Sequence, residues 1–81
     1  MGFAADLTPE EAALGFELVE HLVHGLMVTT KLGIGIRAVK MIDHGLISYA
    51  ICDDQFIVLY PAAHSLPDLR RRFGLGDRKA G

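Results

Sequence analysis

The chain has 81 residues, of which 51% are apolar, and its formal net charge is −2. Its length corresponds to one domain, and its single cysteine, Cys52, excludes both a disulfide framework and a zinc site built on several cysteines. One unpaired cysteine is typical of a reducing compartment, so we expect a cytoplasmic protein. The longest apolar run, residues 56–63, is far shorter than the roughly 20 residues of a spanning helix, so we expect no membrane association.

Charge is distributed unevenly along the chain. Residues 1–30 contain five acidic side chains and no lysine or arginine, whereas residues 65–81 contain five basic and two acidic side chains. A basic segment on an acidic protein either contacts an anionic partner or only improves solubility. Arg70, Arg71 and Arg72 are therefore candidates for contacts with an anionic partner, although the solubility interpretation is favoured.

The first predicted element is a long helix. Thr8 and Glu11 have the spacing of a capping box, and Pro9 suits the first helical position. The pattern predicts a helix over residues 9–24, closed by Gly25 in the left-handed conformation. Its apolar residues cover roughly 200° of the helical wheel, about twice the arc that one packing contact needs. We therefore expect a second packing partner, which for a domain this small indicates self-association.

Residues 26–45 allow three interpretations, of which a β-strand is favoured. Apolar and polar side chains alternate from Leu26 to Ala38 with a period of two, and residues 43–45 (Asp-His-Gly) favour a hairpin turn. Pairing across that turn places Ala38 opposite Ala50. This interpretation predicts extended backbone over residues 34–42.

The second interpretation rests on the residues Leu32-Gly33-Ile34, followed by an apolar pattern and a hairpin that begins near Gly45. This segment resembles the helix-turn-helix and wing of winged-helix bacterial regulators. The resemblance implies a recognition helix with Arg37 and Lys40 facing the DNA major groove. The acidic net charge of the chain argues against it, because DNA-binding domains are usually basic.

The third interpretation is a dinucleotide-binding fingerprint, since Gly33, Gly35 and Ala38 fit the pattern G-x-G-x-x-A. That motif requires a helix after the glycines and a parallel sheet around them. An 81-residue chain is too short to supply the sheet, so no cofactor is expected.

The C-terminal half predicts two strands and a helix. Residues 46–52 and 56–60 are rich in β-branched and aromatic side chains, with a turn at residues 53–55. Ser65 favours the start of a short helix, and Gly74 favours its end. Residues 76–81 have little to bury, so we expect a frayed tail.

Catalytic and metal-binding residues are not expected. His21 and His24 have the spacing of a ligand pair, but on a helix each has a glutamate four residues earlier, which explains them as surface residues. Cys52 precedes two aspartates, whose charges raise the pKa of its thiol rather than activate it.

Together these patterns predict an α+β domain over residues 1–75, with an N-terminal helix, an antiparallel β-meander and a short C-terminal helix. A winged helix-turn-helix is the alternative fold. The expected function is that of a small non-catalytic regulatory or protein-interaction module that acts as a homodimer and has a possible protein partner. The alternative function is a winged-helix transcriptional regulator, in which case nucleic acid is the partner.

Overall fold

The computed structural model describes residues 2–75, which form six strands and two short helices. In chain order the elements are β1 (Gly2–Phe3), α1 (Pro9–Ala13), β2 (Glu17–His21), β3 (Gly25–Gly33), β4 (Ile36–Asp43), β5 (Leu46–Asp53), β6 (Val58–Ala63) and α2 (Leu66–Phe73). The fold is mostly an antiparallel sheet. The predicted fold class, an N-terminal helix followed by a meander, is therefore wrong.

The sheet is an antiparallel meander with the strand order β2-β3-β4-β5-β6. Strand β3 divides its pairing: its first half pairs with β2, and from Thr29 onward it pairs with β4. Beyond that point β1 takes its place beside β4, with Phe3 opposite Met41. The β2–β3 hairpin is thereby free to curl over one face of the sheet, where His21 reaches the ring of Phe56 near the start of β6.

The helix predicted over residues 9–24 begins as expected but ends at Ala13. The capping box is confirmed, because the Thr8 hydroxyl accepts from the Glu11 amide at 3.2 Å and the Thr8 amide donates to Glu11 Oε1 at 2.9 Å. Gly15 then adopts a φ of +97°, which ends the helix and turns the chain into β2. Residues 17–21, which the pattern places in the helix, instead form β2 and pair along their whole length with β3, so tertiary pairing overrides local propensity.

Residues 26–45 contain two strands and no helix, which rules out the winged-helix alternative. The extended backbone predicted over residues 34–42 is confirmed from Ile36 onward, whereas Ile34 and Gly35 form the turn between β3 and β4. No helix follows Gly33 and Gly35, so these glycines do not form a dinucleotide-binding turn.

The register between β4 and β5 differs from the prediction by one residue. Ala38 lies opposite Ile51 rather than Ala50, because the connecting turn consists of two residues, His44 and Gly45, which both have positive φ. That backbone is typical of a type I′ hairpin turn. A shift of one residue exchanges the two faces of a strand, so the faces expected for β5 relative to β4 are reversed.

The C-terminal predictions agree better with the structure. Two strands follow the turn as expected, although β6 begins at Val58 and extends to Ala63. Helix α2 begins after Ser65, whose hydroxyl accepts from the Asp68 amide, and it ends at Gly74 with a φ of +68°. The predicted frayed tail, residues 76–81, lies outside the described residues.

The sheet has a buried cluster on each face. The cluster beneath the helices, which we call the helix-side core, contains Phe16, Val28, Ala38, Tyr49, Ile51, Ala62, Ala63 and Leu69. The cluster beneath the curled hairpin, which we call the hairpin-side core, contains Met27, Val39, Met41, Ala50 and Cys52.

A buried ion pair attaches α1 to the sheet. The Glu11 carboxylate lies 3.0 Å from Lys40 Nζ and accepts a hydrogen bond of 2.6 Å from the Tyr49 hydroxyl. Lys40 and Tyr49 are cross-strand neighbours on β4 and β5, and the Lys40 ammonium also donates to the carbonyl oxygen of Asp6. Glu11 and Lys40 are almost fully buried, so each charge depends on the other. We call this group of side chains the Glu11 anchor.

The surroundings of Glu11 favour its charged form. Burial alone raises the pKa of the carboxyl, but hydrogen bonds from Thr8, Tyr49 and Lys40 together with the Lys40 charge outweigh burial and hold the pKa below its ordinary value of 4.5. The pKa of the Tyr49 hydroxyl is raised strongly, by burial and by the adjacent carboxylate. At neutral pH the Glu11 side chain is therefore a carboxylate and the Tyr49 side chain is a neutral phenol.

We predict that Lys40→Met destabilises the protein by about 3–5 kcal/mol, because it leaves the Glu11 carboxylate buried without its cation. Urea denaturation at pH 7 measures the change in the free energy of unfolding. The double variant with Glu11→Gln should lose less than the sum of the two single changes. Lys31→Met, which alters an exposed lysine on β3, is the matched control. Equal losses of unfolding free energy in the Lys31→Met and Lys40→Met variants would contradict the stabilising role of the Glu11 anchor.

The pKa of Glu11 also predicts an acid dependence. Because the carboxyl has a lower pKa in the folded chain than in the unfolded chain, its contribution is complete above about pH 4.5 and is lost as the pH falls through the folded value. The difference in unfolding free energy between wild type and Glu11→Gln should therefore narrow below pH 4.5. Urea titrations between pH 3 and pH 7 measure this difference, and a constant difference over that range would contradict the prediction.

Candidate interaction surface

The last strand of the sheet, β6, pairs with β5 on one side and, within residues 2–75, with no strand on the other. Four consecutive residues that begin just before the strand are exposed: Ile57, Val58, Leu59 and Tyr60. No acidic or basic residue occurs anywhere in residues 55–63. The backbone N–H and C=O groups on the outer side of such a strand are available to pair with another strand.

The opposite edge of the sheet is different. Strand β2 carries exposed Glu17 and Glu20, and charged side chains on an edge strand discourage pairing with another chain. On β6 the comparable features are Pro61, which has no N–H to donate, and two register irregularities in its pairing with β5. Residues 57–60 therefore form the less protected of the two edges, and we call them the β6 edge.

A stack of four rings lies beside the start of β6. The ring centroids of Phe3 and His24 are 4.4 Å apart, those of His24 and His21 are 4.9 Å apart, and those of His21 and Phe56 are 5.0 Å apart. This ring stack connects β1, the β2–β3 turn and the β5–β6 turn. The sequence carries no signal for it, because the four residues come together only through the curl of the hairpin.

The backbone of Phe56 is held in an unusual conformation. Its φ is +65°, a value that bulky residues seldom adopt. The turn is fixed by Asp53, whose Oδ1 accepts from the amides of Gln55 and Ile57 at 2.9 and 3.0 Å. The resulting position places the Phe56 ring 5.2 Å from the guanidinium carbon of Arg37, which is within the range of a cation–π contact.

A recess of about 510 Å³ opens next to the ring stack. Phe3, His24 and Phe56 form part of its lining, together with Met41 from the hairpin-side core and Val58 from β6. The recess and the β6 edge are therefore adjacent, and they make one continuous apolar region.

The residues expected to contact an anionic partner occupy separate places. Lys40 is buried in the Glu11 anchor, whereas Arg37 extends from the other face of β4 and pairs with Asp54 at 3.6 Å. The side chain of Arg37 is only 15% exposed. The two basic residues of β4 thus do not combine into one basic surface.

The three arginines of α2 are exposed. Arg71 pairs with Asp68 at 2.8 Å, and Arg72 approaches the same carboxylate at 3.5 Å. Arg70 lies with Arg71 on the wall of a groove of about 670 Å³ between α1 and α2. One acidic side chain therefore offsets part of the positive charge of this segment.

Cys52 belongs to the hairpin-side core and is fully buried. Burial, with smaller effects from Asp53 and Asp54 and an opposing effect from Arg37, raises the pKa of its thiol to about 11. The direction agrees with the sequence prediction, although burial is the largest cause. A thiol with this pKa is protonated and weakly nucleophilic at neutral pH.

Two further observations concern the described part of the chain. Within residues 2–75 no group of three or more His, Cys, Asp or Glu side chains is placed to hold a metal ion. None of the helices described here is long and apolar enough to cross a membrane.

Comparison with known proteins found no match: no family model, no curated protein and no solved structure is similar to this chain. The function therefore has to be inferred from the geometry of its surfaces.

We predict that replacing Arg70, Arg71 and Arg72 together with Gln changes the free energy of unfolding by less than about 0.5 kcal/mol per residue, because exposed pairs contribute little. Urea denaturation measures this change. If the arginines also contact phosphates, binding to a DNA duplex should weaken steeply with salt, and the triple variant should flatten that dependence. Tight duplex binding that is indifferent to salt would contradict both interpretations.

Proposed function

We propose that this protein is a non-catalytic interaction module that works as a homodimer, in which the β6 edges of two copies pair with each other. The observation that carries the proposal is the uncharged, exposed run of residues 57–60 at the end of the sheet. The excess apolar arc of a helix over residues 9–24 does not support self-association, because the helix ends at Ala13. The support now comes from β6.

A second copy fits this edge because of its charge pattern. Antiparallel pairing about a two-fold axis brings two copies of the same segment together, so a strand whose charges all have one sign brings like charges close to one another. Residues 55–63 carry no acidic or basic side chain, and their self-pairing incurs no such repulsion. Strand β2, with Glu17 and Glu20, would repel its own copy.

The extent of the pairing is limited by Pro61. Because proline cannot donate to a strand ladder, we expect the shared ladder to use residues 57–60. Pairing there creates one continuous sheet through both copies and also shields the apolar side chains of the β6 edge from water.

We predict that Leu59→Lys converts the dimer to a monomer, because it places a charge on each side of the two-fold axis at the shared edge. Light scattering with size exclusion at micromolar concentration should give twice the chain mass of 8.8 kDa for the wild type and the chain mass for the variant. Leu46→Lys, at an exposed leucine of the β4–β5 hairpin, is the matched control and should remain dimeric.

Two results would contradict this proposal. A wild-type protein that is monomeric at that concentration would exclude the homodimer. A dimer that dissociates equally in the residue 46 and residue 59 variants would place the interface elsewhere.

A further inference from the structure

The groove between α1 and α2 has a largely apolar lining. Its volume of about 670 Å³ lies within the roughly 300–1,000 Å³ that is typical of small-molecule sites. Ala13 and Leu14 line it at the end of α1, and Leu66 lines it at the start of α2. Leu14 and Leu66 are half-buried and pack against the helix-side core. An apolar group bound in the groove would therefore extend that core.

Each wall of the groove is attached to the sheet by its own contact. Helix α1 is held by Glu11, whose carboxylate binds Lys40 and Tyr49. Helix α2 is held by Leu69, which is fully buried in the helix-side core, and its start is capped by Ser65. The two helices cannot close on each other without losing these attachments. The groove is therefore preformed, and a ligand does not have to open it.

The two walls of the groove differ in charge. Arg70 and Arg71 line the groove from α2, whereas Glu10 lines it from α1. Arg71 pairs with Asp68 at 2.8 Å, and Arg72, which is not part of the lining, approaches the same carboxylate. Within residues 2–75 Arg70 has no acidic partner. The guanidinium of Arg70 is thus the positive charge that a ligand in the groove can use.

The position of Arg70 indicates what kind of ligand the groove fits. Leu66 and Arg70 are four residues apart on α2 and therefore lie on the same side of that helix. An apolar chain that contacts Leu66 thus has a guanidinium beside one of its ends. Glu10 on the opposite wall disfavours a second anionic group. A guanidinium matches a carboxylate in shape and charge, because it can donate two parallel hydrogen bonds.

We propose that the groove binds a small carboxylate with an apolar chain. The chain lies against Ala13, Leu14 and Leu66, and the carboxylate contacts Arg70. A ligand that binds only the folded chain also stabilises it. The groove contains no residue of the β6 edge, so this binding does not depend on the proposed dimer.

Three compounds with the same chain test the proposal: octanoate, octanol and octyltrimethylammonium. Nuclear magnetic resonance titrations follow the methyl groups of Ala13, Leu14 and Leu66, with the methyl group of Met41 on the other face of the sheet as a reference. Octanoate should shift the three groove signals to saturation and leave Met41 unchanged. Octanol should bind at least about fivefold more weakly, because it lacks the charge-assisted contact, and octyltrimethylammonium more weakly still. Salt should weaken the binding of octanoate.

Charge-changing variants test the contact with Arg70. Arg70→Gln should weaken the binding of octanoate about fivefold or more and leave the binding of octanol unchanged. Glu10→Gln removes the like charge from the opposite wall and should strengthen the binding of octanoate. Arg72→Gln changes an exposed arginine of the same helix that does not line the groove, so it is the matched control and should bind octanoate as the wild type does.

A second pair of variants tests the place of the apolar chain. Ala12 and Ala13 are both exposed residues of α1, but only Ala13 lines the groove. Ala13→Phe should fill the groove and abolish the binding of octanoate. Ala12→Phe, the matched control, should retain it.

Three results would overturn the proposal. The first is a titration in which octanoate leaves the methyl signals of Ala13, Leu14 and Leu66 unchanged. The second is octanol binding as tightly as octanoate, because apolar contact alone would then explain the affinity. The third is an equal loss of affinity in Arg70→Gln and Arg72→Gln. If Ala13→Phe does not fold, the opposite effects expected for Arg70→Gln and Glu10→Gln still decide the proposal, since both residues are exposed.

Discussion

The carboxylate of Glu11 is bound from three directions, and the position of the N-terminal segment depends on it. Helix α1 has five residues, far fewer than a helix needs to be stable alone in water. Glu11 completes the capping box at its start and, with the same side chain, binds Lys40 and Tyr49 on the sheet. The same residue thus caps the start of helix α1 and attaches that helix to the sheet. Since Gly15 and β2 follow directly, the anchor also determines where the β2–β3 hairpin begins.

The divided pairing of β3 determines the other face of the sheet. Because only its second half pairs with β4, the first half can turn with β2 toward the hairpin-side core. Met27 is buried there, and the rings of His21 and His24 reach Phe3 and Phe56. The same small sheet can therefore bury residues on both faces, with helices on one side and its own hairpin on the other.

The features that could be predicted from sequence are local ones. The capping box at Thr8, the N-cap at Ser65 and the left-handed end at Gly74 depend on neighbouring residues, and the structure has all three. The prediction of a helix beyond Ala13 was wrong because the apolar spacing there fits both a helix and a strand. Pairing with β3 decides in favour of the strand.

The other incorrect predictions involve contacts between residues far apart in the sequence or a turn that is one residue shorter than expected. Lys40 looks available for DNA in the sequence, and its partner Glu11 is 29 residues away. The β4–β5 register differed by one residue because a turn of two residues cannot be told from a turn of three by its composition. The ring stack draws on three separate segments, and nothing in its four residues marks them as neighbours. The β6 edge is visible in the sequence as an uncharged run, but its position at the end of the sheet is not.

The strands at the two ends of the sheet, β2 and β6, differ in how readily each could pair with another copy of the chain. In the proposed homodimer, strand addition at β6 would use the uncharged end of the path β2-β3-β4-β5-β6, and the ends of the joined path would both be β2 with its glutamates. Two copies related by a two-fold axis would therefore present the same acidic strand at both ends. Extension into a fibre along this path would need an uncharged end to remain after each addition, and the described path would offer β2 instead. The glutamates of β2 would thus limit the proposed assembly to two copies.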